Sequence, residues 1–191
     1  GGESPDGATV ATLFADLSME ELEKKTCLDV RHGSQQLTAY VNRIPGDVTG
    51  TVVLYFCDTT ALKEVAAEYR ASRPVVLLIC MDNLEEATRE LRDSDRARIA
   101  GQIETALDDW IAGNGGILRK LSSERFIAVT ENRRLNEMTR TRFPILDRVR
   151  EGLDNAPGGI TLSIGVGQGK TLLDSERMAR RALEMALARG G

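Results

Sequence analysis

The chain has 191 residues, of which 28% are charged and 41% hydrophobic, and its formal net charge is −4 at neutral pH. This is the composition of an ordinary folded protein, and the length suffices for one good core and a second small one. No run of five lysines or arginines occurs, which disfavours a nucleic-acid partner, because phosphate neutralisation needs concentrated positive charge. The longest apolar run, residues 75–81, is far shorter than the roughly 20 residues of a membrane helix, so we expect no membrane contact by this part of the chain.

Three cysteines, Cys27, Cys57 and Cys80, lie in apolar stretches without a C-x-x-C pair. An odd, widely spaced set predicts reduced, buried thiols and a cytoplasmic location. The alternative, a metal site built from these thiols and His32, is disfavoured because free cysteine is usually a small buried hydrophobe. His32 precedes Gly33 in a predicted turn, where an exposed histidine is expected rather than a haem ligand, since haem needs a deep apolar pocket.

Residues 1–70 predict a helix, three strands and a second, connecting helix. The first helix begins at Ser18, which is followed by early acidic residues. Alternation of apolar and polar residues predicts strands at residues 27–30, 36–44 and 50–57, with turns at 33–34 and 45–47. The connecting helix, residues 60–69, is capped by residues 58–60 and carries Leu62, Val65, Ala66 and Tyr69 at helical spacing.

Residues 71–191 begin with the continuous apolar run 75–81, which predicts a strand buried on both faces. The elements predicted after it are helices around 84–91 and 99–110, a hairpin of 117–121 and 126–130, a helix at 145–153, a strand at 160–166 and a helix at 175–188. This βααββαβ order with a final helix predicts an α+β fold. Its antiparallel sheet would have helices on one side, the plan of nucleotide-cyclase and palm domains.

Five motifs in this order resemble one family. They are residues 73–76 (Arg-Pro-Val-Val), 82–83 (Asp-Asn), 122–129, 162–167 and 182–191. Together they are similar to the degenerate GGDEF domain of bacterial cyclic-di-AMP phosphodiesterases, in which two transmembrane helices and a PAS domain precede it and a DHH-type phosphodiesterase domain follows. The resemblance implies a degenerate GGDEF domain at residues 71–191 and a partial PAS-like segment at residues 1–70. It also implies a cytoplasmic fragment of a membrane-anchored parent chain.

The turn at residues 122–125 resembles the glycine-rich turn of a cyclase with altered chemistry. Glu124 retains the cyclase carboxylate, whereas Ser122 and Ser123 replace glycines and Arg125 replaces an acid. Glycine lets a phosphate approach the backbone closely, and serine adds a side chain there, although its hydroxyl and amide still donate to phosphate. We predict a nucleotide site at Ser122, Ser123, Glu124 and Arg125, with ATP as the nucleotide that the resemblance implies.

The resemblance places Cys80 where a cyclase has its first metal-binding acid. A thiol there removes an oxygen ligand that hard cations such as Mg²⁺ prefer. Asp82 lies two residues further on the same strand face, and with Glu124 it forms the predicted Mg²⁺ or Mn²⁺ pair. Two alternatives stay open: Asp82 caps a helix that begins near Leu84, and Glu124 is a solvated surface acid.

The resemblance also implies that other cyclase contacts are lost. The guanine-reading residues correspond to Thr88 and Ala97, the phosphate-binding lysine to Leu187, and the product-inhibition site to residues 113–116. Diguanylate cyclase activity is therefore not expected, no catalytic residue is assigned, and the DHH domain that acts on cyclic-di-AMP lies outside this sequence. The expected function is regulatory, with weak ATP binding. The alternatives are a slow metal-dependent ATPase and a homodimeric scaffold that pairs through an open strand edge.

Gly165 and Gly167 leave two interpretations open at the end of the strand 160–166. They relieve packing or form a bulge, which we favour, or they let a ligand approach. In the following Gly-Gln-Gly-Lys stretch, residues 167–170, neither the order of elements nor the spacing predicts a phosphate loop of the GxxxxGK[ST] type.

Overall fold

A computed structural model describes residues 14, 17–44, 51–153 and 159–188. The chain divides into two compact units, Gly1–Tyr69 and Arg70–Gly191. Within the described ranges, no helix combines the length and the apolarity needed to cross a bilayer. The identity of the first unit as a PAS-like segment stays a prediction.

The first unit contains a short helix and a three-stranded antiparallel sheet. Helix α1 (Met19–Lys24) begins where the sequence predicts, because the Ser18 hydroxyl accepts a hydrogen bond from the amide of Glu21. Strands β1 (Cys27–His32), β2 (Gln35–Arg43) and β3 (Val52–Asp58) pair in chain order. Gly33 has a φ of +60° and makes the predicted turn between β1 and β2. The predicted turn at residues 45–47 lies outside the described residues.

One face of the first sheet is buried and the other is exposed. The buried face forms a small core of Leu17, Leu22, Leu28, Val30, Ala39 and Val41. On the opposite face, Tyr40 is 50% exposed and Tyr55 is 58% exposed. Cys27 and Cys57 also lie on this exposed face, so the prediction of buried thiols is wrong for both. Strand alternation, which places them opposite the buried residues, is the physical reason.

Helix α2 (Thr60–Ser72) follows β3 and has no buried residue. Its predicted start is confirmed, because Asp58 Oδ1 accepts hydrogen bonds from the amide and the hydroxyl of Thr60 at 2.9 and 2.6 Å. The apolar side chains at helical spacing are largely exposed: 69% for Leu62, 68% for Val65 and 67% for Tyr69. A helix of this length is marginal in water without packing, so these side chains mark an uncovered apolar surface.

The second unit is a four-stranded antiparallel sheet with helices, in the strand order β5-β6-β4-β7. In chain order its elements are β4 (Pro74–Met81), α3 (Leu84–Ala87), α4 (Asp93–Gly113), β5 (Ile117–Lys120), β6 (Arg125–Glu131), α5 (Asn132–Arg140), α6 (Pro144–Glu151), β7 (Leu162–Gly167) and α7 (Leu172–Leu187). The antiparallel sheet and its central hairpin confirm the prediction.

Helix α5 is an element that the prediction lacks. Its sequence is strongly polar, and Met138 is its buried residue, so no apolar period marks it. It is separated from α6 by Arg142 and Phe143, whose φ angles are +57° and +52°. Pro144 then occupies the first turn of α6, a position where its missing amide hydrogen costs nothing.

Strand β4 is central and buried on both faces, as the apolar run predicts. Its odd-numbered residues, Val75, Leu77, Ile79 and Met81, belong to the main core with residues of α4 and α6. Its even-numbered residues, Val76, Leu78 and Cys80, pack against Ala179 and Leu183 of α7. Helices therefore cover both faces, and the prediction that they pack on one side is wrong. Element order alone does not say on which face a helix returns.

The two glycines of β7 let α7 approach the sheet at backbone distance. A Cβ atom at Gly165 would lie 2.1 Å from the carbonyl oxygen of Ala179, and one at Gly167 would lie 1.8 Å from that of Ser175. No side chain fits at such distances. The packing interpretation of these glycines is confirmed.

Candidate functional site

The C-terminal end of β4 and the turn between β5 and β6 lie side by side. In the sheet register, Cys80 pairs with Arg125 on one side and with Ser163 on the other. Beyond the paired residues, the amide of Met81 donates to the carbonyl of Glu124 at 2.9 Å. Asp82 follows directly, so the backbone brings the predicted site residues to one end of the sheet.

The turn closes without a left-handed residue. The amides of Leu121 and Ser122 both donate to the carbonyl of Arg125, at 2.8 and 3.1 Å. Ser122 and Ser123 are exposed, and neither has a positive φ, which explains why serine is tolerated in place of glycine. Within the described residues, the amides of Ser123 and Glu124 have no hydrogen-bond partner, so they are available to an oxygen ligand.

Cys80 is a buried thiol. Burial raises the pKa of Cys80, the charge of Asp82 acts in the same direction, and the charge of Arg125 opposes both. The thiol donates to the carbonyl of Met81 at 3.7 Å. A protonated thiol does not bind a hard cation, because the thiolate is the metal-binding form and Mg²⁺ prefers oxygen.

Asp82 is held by β7 rather than by a helix start. Its Oδ2 accepts a hydrogen bond from the Ser163 hydroxyl at 2.9 Å, while its Oδ1 is buried without a partner among the described residues. Burial raises the pKa of Asp82, and hydrogen bonds from Ser163 and Thr161 act against this shift. The capping alternative is wrong: Asn83 is the residue before α3, and its side chain bonds instead to Thr161 and Gly159.

Ser163 and Thr161 are site residues that the sequence motifs do not mark as such. Both lie in or beside the strand that the motif at residues 162–167 marks, but their contact with Asp82 depends on the register between β4 and β7. The motif alone carries no signal for that register, because β4 and β7 are far apart in the sequence.

The predicted metal pair, Asp82 and Glu124, supplies two carboxylates, fewer ligands than the octahedral shell of Mg²⁺ needs. Within the described ranges, no group of three histidine, cysteine or acidic side chains is placed to hold a metal. Asp82 nevertheless offers a buried carboxylate oxygen that lacks a partner. Mg²⁺ is commonly held by one or two carboxylates with phosphate oxygens completing its shell. Asp82 and Glu124 would hold such an ion, and the ion would neutralise phosphate charge.

The profile of the family described as "Cyclic-di-AMP phosphodiesterase GdpP-like, GGDEF domain" matches residues 79–191, more than half of the chain. The chain belongs to this family. The cyclic-di-AMP phosphodiesterase GdpP of Geobacillus thermodenitrificans is 36% identical over 140 residues, which is 73% of this chain and 21% of that protein. The chain thus spans about a fifth of the length of this curated relative.

Solved GGDEF domains share the fold. The GGDEF domain of FimX from Pseudomonas aeruginosa superposes with a TM-score of 0.53 at 20% identity, over 69% of this chain and 86% of that one. The active GGEEF domain of a diguanylate cyclase from Vibrio cholerae gives 0.52 at 20% identity, over 68% and 85%. At these identities the likeness concerns the fold, and it confirms the predicted nucleotide-cyclase architecture.

A small cavity of about 130 Å³ adjoins the turn of this GGDEF domain. Its walls combine apolar side chains, mainly of β4 and α7, with the charged side chains of Arg125, Arg180 and Glu184. Leu187, at the position that the resemblance assigns to a phosphate-binding lysine, is part of its lining. Small-molecule pockets usually measure about 300 Å³ or more. A nucleotide at the turn of the GGDEF domain would therefore be enclosed only in part.

Thr88 of the GGDEF domain serves the packing of the domain itself. Thr88 is fully buried, and its hydroxyl donates to the carbonyl of Leu84 at 2.6 Å. Ala97 has no polar side chain with which to read a base. The segment 113–116 ends α4, where the amide of Gly116 donates to the carbonyl of Ile111 at 2.9 Å. The loss of guanine recognition and of the inhibitor site at these positions stays a prediction.

Proposed function

We propose that this chain is a regulatory part of a cyclic-di-AMP phosphodiesterase and has no diguanylate cyclase activity. Its family membership and its GdpP relative support the first statement. The second rests on Cys80, a buried thiol at the end of β4, where two-metal phosphate chemistry needs a carboxylate. Catalysis on cyclic-di-AMP would belong to a DHH-type domain of the parent chain. This part would lie in the cytoplasm, beneath the parent chain's membrane anchor.

The ligand that this regulatory part would take is ATP, bound weakly with Mg²⁺ or Mn²⁺. Phosphate oxygens would accept from the open amides of Ser123 and Glu124 and from the hydroxyl of Ser122, with Arg125 beside them. Asp82 and Glu124 would supply metal oxygens. Binding would be weak because the adjoining cavity is small and no base-reading side chain remains.

Calorimetric titration with ATP, GTP, cyclic-di-AMP and cyclic-di-GMP, each with Mg²⁺, tests this proposal. We expect ATP binding with a Kd on the order of 0.1–1 mM and at least tenfold weaker binding in Glu124→Gln, which removes charge but keeps shape. Glu137→Gln is the matched control, because Glu137 is a surface acid paired with Arg140 on α5. Equal ATP affinity of Glu124→Gln and the native chain, or conversion of GTP to a cyclic dinucleotide, would contradict the proposal.

Slow ATP hydrolysis is the alternative use of the same residues, and the unpartnered Oδ1 of Asp82 favours it. A metal ion held there would polarise a bound phosphate. Phosphate release that disappears in Glu124→Ala supports hydrolysis, whereas release that is unchanged in this variant removes the alternative.

Dimerisation through α2 is a second candidate function. The observation that favours it is the exposed row of Leu62, Val65 and Tyr69 on a helix without buried residues. These residues are spaced by three and four positions, the spacing of a helix-pairing seam. Strand β3, an edge strand of the sheet formed by β1–β3, is the other surface on which a second copy could pair.

Light scattering measured over a range of concentrations tests the dimer. We expect a dimer for the native chain and a monomer for the double variant Leu62→Glu, Val65→Glu, because two charges would then face each other in the seam. Met185→Glu is the control, since Met185 is 60% exposed on α7. A native chain that stays monomeric at the highest concentration removes this candidate.

A further inference from the structure

A basic cleft lies at the opposite end of the second sheet from the turn, where β4 begins and β7 ends. Its volume is about 520 Å³, and among the described residues its charged lining consists of Arg73, Lys170, Arg177, Arg181 and the acid Asp174. Cys80 lies seven positions after Arg73 along extended chain, a distance of roughly 23 Å. The cleft is therefore separate from the proposed nucleotide site.

The loop at the bottom of this basic cleft is fixed on several sides. The guanidinium of Arg73 donates to the carbonyl of Gly169, and the amide of Gly169 donates to the Ser175 hydroxyl at 2.8 Å. The Gln168 amide group donates to Asn132 at 2.7 Å. Residues 167–170 connect a strand, β7, to a helix, α7, which is the element order of a phosphate loop. The prediction that the element order differs from a phosphate loop is therefore wrong. The spacing of these residues still does not match GxxxxGK[ST].

The cations of the basic cleft are not neutralised by the chain itself. Arg177 and Arg181 lie on α7, Lys170 lies just before this helix begins, and none of the three forms an ion pair within the described part of the chain. Arg177 and Arg181 are four residues apart, where like charges repel across a helix surface. Asp174 already accepts a hydrogen bond from the Thr171 hydroxyl at 2.8 Å. The cleft thus concentrates positive charge in a chain whose net charge is −4.

The start of α7 does not account for an anion site by itself. The Thr171 hydroxyl accepts from the amide of Asp174 at 3.1 Å and caps the helix. Attraction for an anion therefore comes from the four cationic side chains. Arginine guanidinium groups present paired donors that match the oxygens of a phosphate group.

We propose that this basic cleft binds a compact, multiply charged phosphate group, at a site independent of the turn. The volume lies within the range of small-ligand sites. The open shape admits either a free phosphate compound or the phosphate headgroup of an anionic lipid. The loop is fixed by hydrogen bonds, and cationic side chains without ion pairs lie beside it at the start of β4 and along α7. A phosphate group needs both features to be bound.

Titration of the full chain with tripolyphosphate tests the proposal. We expect binding that weakens as salt is added, because exposed charges are screened. The double variant Arg177→Gln, Arg181→Gln should raise the Kd at least tenfold, since it removes two of the four cations. Arg140→Gln is the control, because Arg140 is paired with Glu137, and it should leave the Kd unchanged. Far-UV circular dichroism of each variant verifies the fold.

Vesicle co-sedimentation distinguishes the two sources of phosphate. Tripolyphosphate binding that the double variant loses supports a free phosphate ligand. Capture by vesicles of phosphatidylcholine with phosphatidylglycerol, but not by phosphatidylcholine alone, supports a lipid headgroup when the double variant abolishes it. Binding of neither probe, or equal binding by the native chain and the double variant, overturns the proposal. Glu124→Gln should leave tripolyphosphate binding unchanged, and a tenfold loss in that variant would overturn the independence of the two sites.

Discussion

The two sheets of this protein bury their strands differently. The sheet β1–β3 has one buried face and one face on which tyrosines and cysteines are exposed, whereas β4 in the second sheet is buried on both faces. The difference matches the sequence pattern, since alternation marks one-sided burial and a continuous apolar run marks burial on both sides. It indicates that stability is concentrated in the second unit and that the first unit has more surface left for a partner.

The chain carries separate optical probes for the two units. Its three tyrosines are Tyr40, Tyr55 and Tyr69, all in the first unit, and its single tryptophan is Trp110, in the second. Trp110 contacts Phe143, with 6.1 Å between ring centroids. Tryptophan emission therefore reports on unfolding of the second unit. The effect of each variant can thus be assigned to the first or to the second unit.

The largest effect is expected at the contact between β7 and α7. Gly167→Ala would place a Cβ atom 1.8 Å from the Ser175 carbonyl oxygen, so the helix must shift, and we expect a loss of about 4 kcal/mol or more. In the first unit, Gly33→Ala meets no atom within 4 Å but keeps a φ of +60°, which costs about 1–2 kcal/mol. Urea titration followed by tryptophan and tyrosine emission measures both. A Gly167→Ala protein of native stability would refute the close packing.

The next largest difference between the two sheets is expected when a strand side chain is truncated to alanine. Leu77→Ala removes a side chain that is 0% exposed in β4, and we expect a loss of about 2–5 kcal/mol in the second unit. Val53→Ala acts on a side chain that is 36% exposed in β3, where about 0.5 kcal/mol is expected. Thermal unfolding of the two variants measures the difference. Similar losses would mean that the exposed face of the first sheet is covered in solution.

Asp82→Asn is expected to change the free energy of unfolding least, by an amount that depends on pH. Because the folded pKa of Asp82 is raised, the folded state binds its proton more tightly than the unfolded state does. The native carboxyl therefore lowers stability as pH rises through the interval from about 3.9 to the folded pKa. At pH 7 we expect the variant to be more stable by less than about 1 kcal/mol, since hydrogen bonds and solvent reduce the effect. The gain should vanish below about pH 3.9.

The melting temperatures of the native chain and of Asp82→Asn, measured with and without Mg²⁺ and ATP, test whether Asp82 holds the metal. If Asp82 holds the metal of a bound nucleotide, the native chain gains thermal stability from the mixture and the variant does not, because a ligand stabilises only the state that binds it. Equal shifts of the melting temperature in both proteins would remove Asp82 from the proposed metal pair.

Local patterns predicted elements well and contacts less well. The strands and the start of α1 follow from alternation and from Ser18, which are properties of neighbouring residues. Helix α5 was not predicted, because a polar sequence with one buried residue has no apolar period. The pairing of Asp82 with Ser163 and the exposure of Cys57 depend on strand register and on which face is covered. Neither property is encoded within a short window.

The sequence alone determined the antiparallel cyclase-like fold of the second unit, because periodicity is a local property of the chain and the order of the motifs is read directly along it. Only the tertiary structure decided that α7 covers the second face of the sheet, that Asp82 bonds to β7, and that four cations meet in one cleft. The physical reason is that these contacts join residues brought together by packing over long sequence distances, where the free energy depends on the whole arrangement of elements.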